Sequence, residues 1–306
     1  MNDKNQTLVS EIVLLGFQNL HNFKIPLFSL FLLIYIMTVW ENVFIIVLVS
    51  SSRNLQSPMY FLLRQLALSD LLGSTIIVPI LLQTVFDKTK VSLFGCISQI
   101  SFFSATEAFE CLLLAVMSYD RYVAICIPLR YSSIMNQRVC QKFIFTSWTL
   151  SFGIEMSIVN LIGVLKFCDQ NTINHFFCDL FPLLELSCSD TSFFQVEVIV
   201  QSIPLVFCPL ILITVSYMCI AHAILKIVSN TGRQKAFSTC SSHLAVVSIF
   251  YGTLIAIYLT PSRKQLQTIS KVLSLLYTIV IPMINPVIYS LRSTNIKEAL
   301  KKSINL

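Results

Sequence analysis

Apolar residues run along this chain in seven long blocks, near 25–50, 58–82, 97–126, 140–163, 195–222, 238–260 and 269–291. Each reaches about 20 residues or more, the length that carries an α-helix across a hydrocarbon layer. Polar residues gather in the stretches between, and no block contains a run of charges. A membrane barrel would instead show segments of about ten residues with alternating polarity, a period absent here. The pattern predicts an all-α membrane protein: a seven-transmembrane helix bundle at 25–291, an extracellular N-terminal tail at 1–24 and a cytoplasmic tail at 292–306. Within that last tail, Thr294 to Lys302 reads as a short amphipathic helix lying on the inner surface.

Composition removes the soluble alternative. Of 306 residues, 55% are hydrophobic and 12% charged, and mean hydropathy is +0.77. Soluble domains carry roughly 25% charged residues; half that amount cannot cover a water-exposed surface. The net charge of +6 does not point to nucleic acid, because the basic residues are dispersed between apolar blocks. Residues 1–24 lack a basic region followed by an apolar core, so the first block is expected to act as the targeting signal.

Basic residues also set the orientation. With the N-terminus outside, the inner side receives Arg53, Arg64, Arg121, Arg130, Arg138, Lys142, Lys226, Arg233, Lys235, Arg292, Lys297, Lys301 and Lys302. The outer side keeps Lys4, Lys24, Lys88, Lys90, Lys166, Arg263, Lys264 and Lys271. The glycosylation tripeptide Asn5-Gln6-Thr7 then lies outside, as does the longest loop, about 164–194, with Cys168, Cys178 and Cys188. An oxidising compartment allows those cysteines to pair.

Ionisable groups inside spans are expensive, so each is a functional candidate. Asp70 lies 12 residues after Pro58, roughly 18 Å into the second span. Glu110 lies 14 residues after Cys96, roughly 21 Å into the third. Two carboxylates at one depth either share protons and hydrogen bonds or hold a cation such as sodium; both readings stay open. Glu107, one turn from Glu110, either touches a ligand, which would favour amines or other hydrogen-bond donors, or bonds to a neighbouring helix. Cys96 and Arg121 are 25 residues apart, roughly 38 Å of helix, so they occupy opposite ends of the third span. Cys96 can reach an outer-loop cysteine. Asp120 can hold Arg121, or Arg121 simply snorkels to the interface. Pro79, Pro204, Pro209, Pro282 and Pro286 interrupt spans and are bending points or ordinary kinks.

Five ordered segments carry a resemblance over nearly the whole chain. They are Pro58-Met59-Tyr60-Phe61-Leu62-Leu63; Met117-Ser118-Tyr119-Asp120-Arg121-Tyr122-Val123-Ala124-Ile125-Cys126; Ser216-Tyr217; Lys235-Ala236-Phe237-Ser238-Thr239-Cys240-Ser241-Ser242-His243-Leu244; and Pro282-Met283-Ile284-Asn285-Pro286-Val287-Ile288-Tyr289. In this order they resemble the rhodopsin-like G-protein-coupled receptors and, within them, the vertebrate olfactory receptors.

The resemblance implies that Asp120, Arg121 and Tyr122 form an inner G-protein switch, with Asn285, Pro286 and Tyr289 as a hinge and Tyr217 as its partner. It also implies an acidic pair at Asp70 and Glu110 where an allosteric sodium ion binds, and disulfides Cys96–Cys178 and Cys168–Cys188. Free thiols are the alternative for the second pair. Glu41-Asn42 departs from the family's usual Gly-Asn, and Phe250-Tyr251-Gly252 replaces a tryptophan switch, as in the olfactory branch.

The implied function is an odorant receptor in the plasma membrane of olfactory sensory neuron cilia. A small volatile ligand would bind in the outer half of the bundle, lined by Phe103, Ser104, Glu107, Ser202, Leu205, Tyr251, Tyr258 and Thr278. A stimulatory olfactory-type heterotrimeric G protein would then raise cyclic AMP. The alternatives are a same-family chemoreceptor used outside the nose and an ion or solute transporter; internal repeats or paired broken helices would mark a transporter, and neither is found. No H-E-x-x-H or G-x-S-x-G segment appears, so an enzyme is not expected, and no cofactor beyond the sodium ion is implied.

Overall fold

The computed structural model describes residues 9–17, 23–168, 171–226, 229–259, 267–292 and 296. The expected glycosylation site at Asn5 and all but one residue of the expected helix from Thr294 to Lys302 lie outside them. So do some side chains within helices, Tyr258 and Lys235 among them.

Among the described residues, seven helices are long and apolar enough to cross a membrane. They are α1 (Lys24–Ser51), α2 (Pro58–Phe86), α3 (Leu93–Cys126), α4 (Gln137–Val164), α5 (Ser192–Leu225), α6 (Asn230–Leu259) and α7, which runs through Gln267–Leu275, Leu276–Val280 and Ile281–Arg292. Helices extend past the apolar blocks because hydropathy marks only the stretch matched to lipid. Backbone hydrogen bonding continues into polar residues such as Gln83 and Asn230.

Local chemistry fixes the starts. Pro58 opens α2 at a position where its missing N–H costs nothing. The Ser92 hydroxyl accepts from Gly95 N–H at 3.0 Å to cap α3, and Asn136 accepts from Val139 N–H at 3.0 Å to cap α4. Within α5 and α7 the regular ladder widens into π-turns at Ile203–Phe207 and Leu276–Val280. Each contains or closely precedes a proline (Pro204 and Pro209, Pro282), which cannot donate its share of the helical bonds.

Helix α3 is the axis of the bundle, in contact with α2, α4, α5 and α6. Its side chains Phe109, Leu113 and Leu114 are fully buried in the main core, with Trp148 of α4 stacked on Phe109 at 3.9 Å between ring centroids. Large apolar groups including Trp40, Phe145, Ile211 and Met218 face outward. A bundle solvated by hydrocarbon has this inside-out polarity, since lipid tails do not penalise exposed apolar side chains.

Within the segment expected as a tail at 1–24, the described residues include a β-strand. β1 (Glu11–Leu14) pairs antiparallel with β2 (Thr89–Ser92) and parallel with β3 (Thr172–Ile173) in a three-stranded sheet. Ile12 and Leu14 alternate inward and are fully buried, as the two-residue period of a strand requires. Gly16 then turns the chain with φ of 55°, and Phe17 lies stacked on Phe176 at 5.7 Å. A Cβ on Gly16 would meet Thr84 at 2.5 Å. Gly16→Ala should therefore lower stability by about 1–2 kcal/mol from the left-handed backbone alone, with the clash added. A thermal shift of the purified chain reads this out, and an unchanged midpoint would show that this turn in the lid, the cover formed by the sheet, contributes nothing to stability.

Candidate functional site

Next to this sheet, the segment carrying Phe177 to Phe181 roofs a cavity of about 160 Å³ between α3, α4, α5, α6 and α7. Two disulfides hold the roof. Cys96–Cys178 ties it to the start of α3, and Cys168–Cys188 closes the loop on itself. Gln99 of α3 adds a polar clamp, accepting from Cys178 N–H at 3.0 Å and donating to the Ile76 carbonyl at 3.1 Å. Asp179 accepts from Leu180 N–H at 2.7 Å, at the start of the short helix Leu180–Leu184. Burial pushes its carboxyl up to about 6. Behind the roof His175 packs between Phe176 and Phe177, and burial together with nearby Lys271 pushes it down to about 3. It is a neutral aromatic plug at physiological pH.

The cavity wall draws on α3 at Phe103, Ser104, Glu107 and Cys111, whose three- and four-residue spacing puts them on one face. Ser202 and Leu205 come from α5, the latter within its π-turn. Five of the eight residues expected from sequence thus line one space. Two do not. Tyr251 stands one layer behind, its hydroxyl donating to the Cys111 carbonyl at 3.3 Å. Thr278 is buried elsewhere and donates to the Ser274 carbonyl at 2.7 Å. The π-turn of α7 presents the neighbouring Tyr277 to the cavity instead. The side chain of Tyr258 lies outside the described residues.

Sequence reasoning missed three polar wall residues: Glu155, Asp179 and Gln201. A signal existed for the first, since Glu155 is the only acid in the block at 140–163. It is 5% exposed and has no hydrogen-bond or ion-pair partner among the described residues. Gln201 donates to Ser157 and Glu197, each at 2.8 Å, while its amide oxygen is buried without a partner among the described residues, as is Oε2 of Glu107.

A second polar layer lies further along the bundle, towards Arg121. Asn285 of α7 donates to both oxygens of Asp70 at 3.1 Å. Glu110 sits in the same buried layer beside Ser69, whose hydroxyl donates to the Thr106 carbonyl at 3.3 Å. Ser74 Oγ is buried without a partner among the described residues. In α1, Asn42 donates to the carbonyls of Thr38 at 2.9 Å and Pro282 at 3.0 Å, tying α1 to α7. Its neighbour Glu41 leaves Oε2 buried, with no partner among the described residues.

At the opposite end of the bundle from the disulfides, Arg121 is ion-paired with the buried Asp120. Asp120 also accepts from the Tyr131 hydroxyl at 2.8 Å. Tyr217 of α5 bonds to His243 of α6 at 2.6 Å, rather than to Asn285 or Tyr289 of α7, and the buried Tyr289 hydroxyl has no partner among the described residues. Tyr289, Arg121, Asp120 and His243 surround one narrow gap.

Fold and polar layers together define a multi-pass membrane bundle with a roofed cavity at one end and a locked arginine at the other. A family model described as olfactory receptor matches residues 31–305. Olfactory receptor 5G3 of Homo sapiens is 46% identical over 305 residues, covering 99% of this chain and 97% of that protein. Olfactory receptor 1M1 of Mus musculus is 44% identical over 306 residues, covering 100% and 98%. Olfactory receptor 10AG1 of Homo sapiens is 46% identical over 293 residues, covering 95% and 97%. The chain belongs to the olfactory receptor family of G-protein-coupled receptors.

Proposed function

We propose that this chain is an odorant receptor that takes a small volatile ligand into the roofed cavity and activates a stimulatory olfactory-type G protein, raising cyclic AMP. The observation that carries the reading is the Tyr251–Cys111 hydrogen bond. Cys111 belongs to the cavity wall and Tyr251 to α6, so a ligand pressing on that wall acts on the position of α6. A ligand that binds better when α6 has moved outward shifts the population towards that state. The opened end presents Arg121, released from Asp120, to the G protein.

In this reading the cavity and the disulfides face outside, with Asn5 glycosylated, and Arg121 faces the cytoplasm. The setting is the plasma membrane of olfactory sensory neuron cilia. The layer around Asp70 suits an allosteric sodium ion. Asp70, Glu110 and the unpartnered Ser74 hydroxyl are the hard oxygen donors that would hold it, supplying a charge that steadies the inactive packing.

The test is cyclic AMP in cells expressing the chain with the olfactory G protein, screened with an odorant panel against Arg121→Ala at matched surface density. The expected result is a ligand response that the variant reduces by about tenfold or more, equivalent to about 1.4 kcal/mol of lost coupling. Equal responses from both chains would overturn the reading.

A further inference from the structure

Among the described residues the cavity wall includes three acids, Glu107, Glu155 and Asp179, and no lysine, arginine or histidine. They come from three different elements: α3, α4 and the disulfide-held roof. Two belong to the membrane-spanning part. Glu155 is 5% exposed and has no partner among the described residues, and Glu107 keeps a buried, unpartnered oxygen. A carboxylate removed from water without a counter-charge or hydrogen bonds is strongly disfavoured. Chains retain such groups in a membrane where they face a cavity and meet something mobile.

Among the described residues, no side chain pairs with either of these two. The ion pairs among the described residues are Lys90–Glu11 in the sheet and Arg121–Asp120 at the far end. Lys271, the cation that reaches towards the roof, donates to the Gly16 carbonyl at 2.6 Å and to Asn174 at 2.8 Å, on the lid side. The remaining wall is mostly carbon: Phe103, Leu205, Leu254, Ile257 and Tyr277 among others. At about 160 Å³ the cavity is below the 300–1,000 Å³ common for ligand sites, so its occupant is compact.

We infer that the ligand class of this cavity is a compact aliphatic amine, its ammonium placed between Glu107 and Glu155 and its hydrocarbon against the carbon wall. The inference rests on the receptor reading for its physiological meaning, but the binding site stands on the cavity alone. An alkylammonium brings the charge and the N–H donors that the two carboxylates lack. Charge-assisted hydrogen bonds of this kind are about twice as strong as neutral ones. An alcohol of the same skeleton offers one donor and no charge, and a carboxylate is repelled by the wall.

The probes are n-butylamine, n-butanol and n-butyrate, tested on the full chain and on Glu155→Gln and Glu107→Gln at matched surface density. Two readouts are taken: cyclic AMP in cells and ligand-induced thermal stabilisation of the purified chain. The amine should be the most potent and butyrate inert. Each substitution should lower amine potency by about tenfold more than it lowers butanol potency, the loss expected for a charged hydrogen bond. The butanol response controls for folding of both variants.

Amine stabilisation that Glu155→Gln removes, without any cyclic AMP signal, would uphold the site while overturning the signalling reading. Butanol matching or exceeding the amine, or both falling equally in the variants, would overturn the inference and leave the receptor reading intact.

Discussion

Cells expressing Cys178→Ser should display little of this protein at their surface while total protein persists inside. Cys96 and Cys178 are 82 residues apart in sequence, and both are almost completely buried. In the chain-entropy picture, closing a loop of that length restricts the unfolded state by about 4.5 kcal/mol, against about 3.3 kcal/mol for a loop the length of Cys168–Cys188. A chain held in lipid keeps its spans when the lid opens, so the coil value is an upper bound and the loss concentrates on the lid.

That loss is still decisive locally. Cys178 lies next to Phe177 and Asp179 in the cavity roof and five residues beyond β3. Opening the bridge frees the roof, detaches the central strand's parallel neighbour and leaves the Cys96 thiol buried against a serine hydroxyl. Surface labelling relative to total protein measures the outcome, with Cys168→Ser expected to be milder. Equal surface fractions for Cys178→Ser and the unaltered chain would mean that Gln99 and the sheet hold the roof without the bridge.

The second large effect is expected in basal signalling. Asp120→Asn should raise ligand-independent cyclic AMP several-fold at unchanged surface density. Asp120 contributes the negative partner of Arg121 at a site almost closed to solvent, where an ion pair is screened weakly. Asparagine removes the charge, yet its amide oxygen can still accept from Tyr131, so the short helix Tyr131–Ile134 keeps its anchor. The substitution thus isolates the charge from the packing. Each 1.4 kcal/mol withdrawn from the locked state moves the population of the open one by about tenfold. A basal signal that stays flat while the ligand response persists would show that packing, rather than the ion pair, holds the arginine.

Much of the architecture is legible along the chain because lipid imposes a simple rule: long apolar blocks, closed backbone bonding, charges at the ends. The carboxylates Asp70, Glu107 and Glu110 stand out for the same reason. Glu155 obeys the same rule and is the sole acid of its block, so the information was present and unused. Other features escape for physical causes. A four-residue strand such as β1 carries only two inward positions, Ile12 and Leu14, too few for a period to declare itself. The choice of Tyr277 over Thr278 depends on a π-turn, which changes the facing of every residue beyond it, and no count of helical spacing anticipates that. The turning away of Tyr217 towards His243 is a choice between partners made by packing.

The sheet that closes the lid also sets an order of events during synthesis. β1 is translated early but sits centrally, and its parallel partner β3 emerges about 160 residues later. At roughly 5–20 residues per second the first strand waits on the order of 10–30 s for its neighbour, across four intervening spans. During that wait Ile12 and Leu14 are apolar groups without the neighbour that shelters them in the finished sheet. The lid is therefore finished only after most of the bundle has been inserted, which makes it a checkpoint for assembly as well as a cover for the cavity.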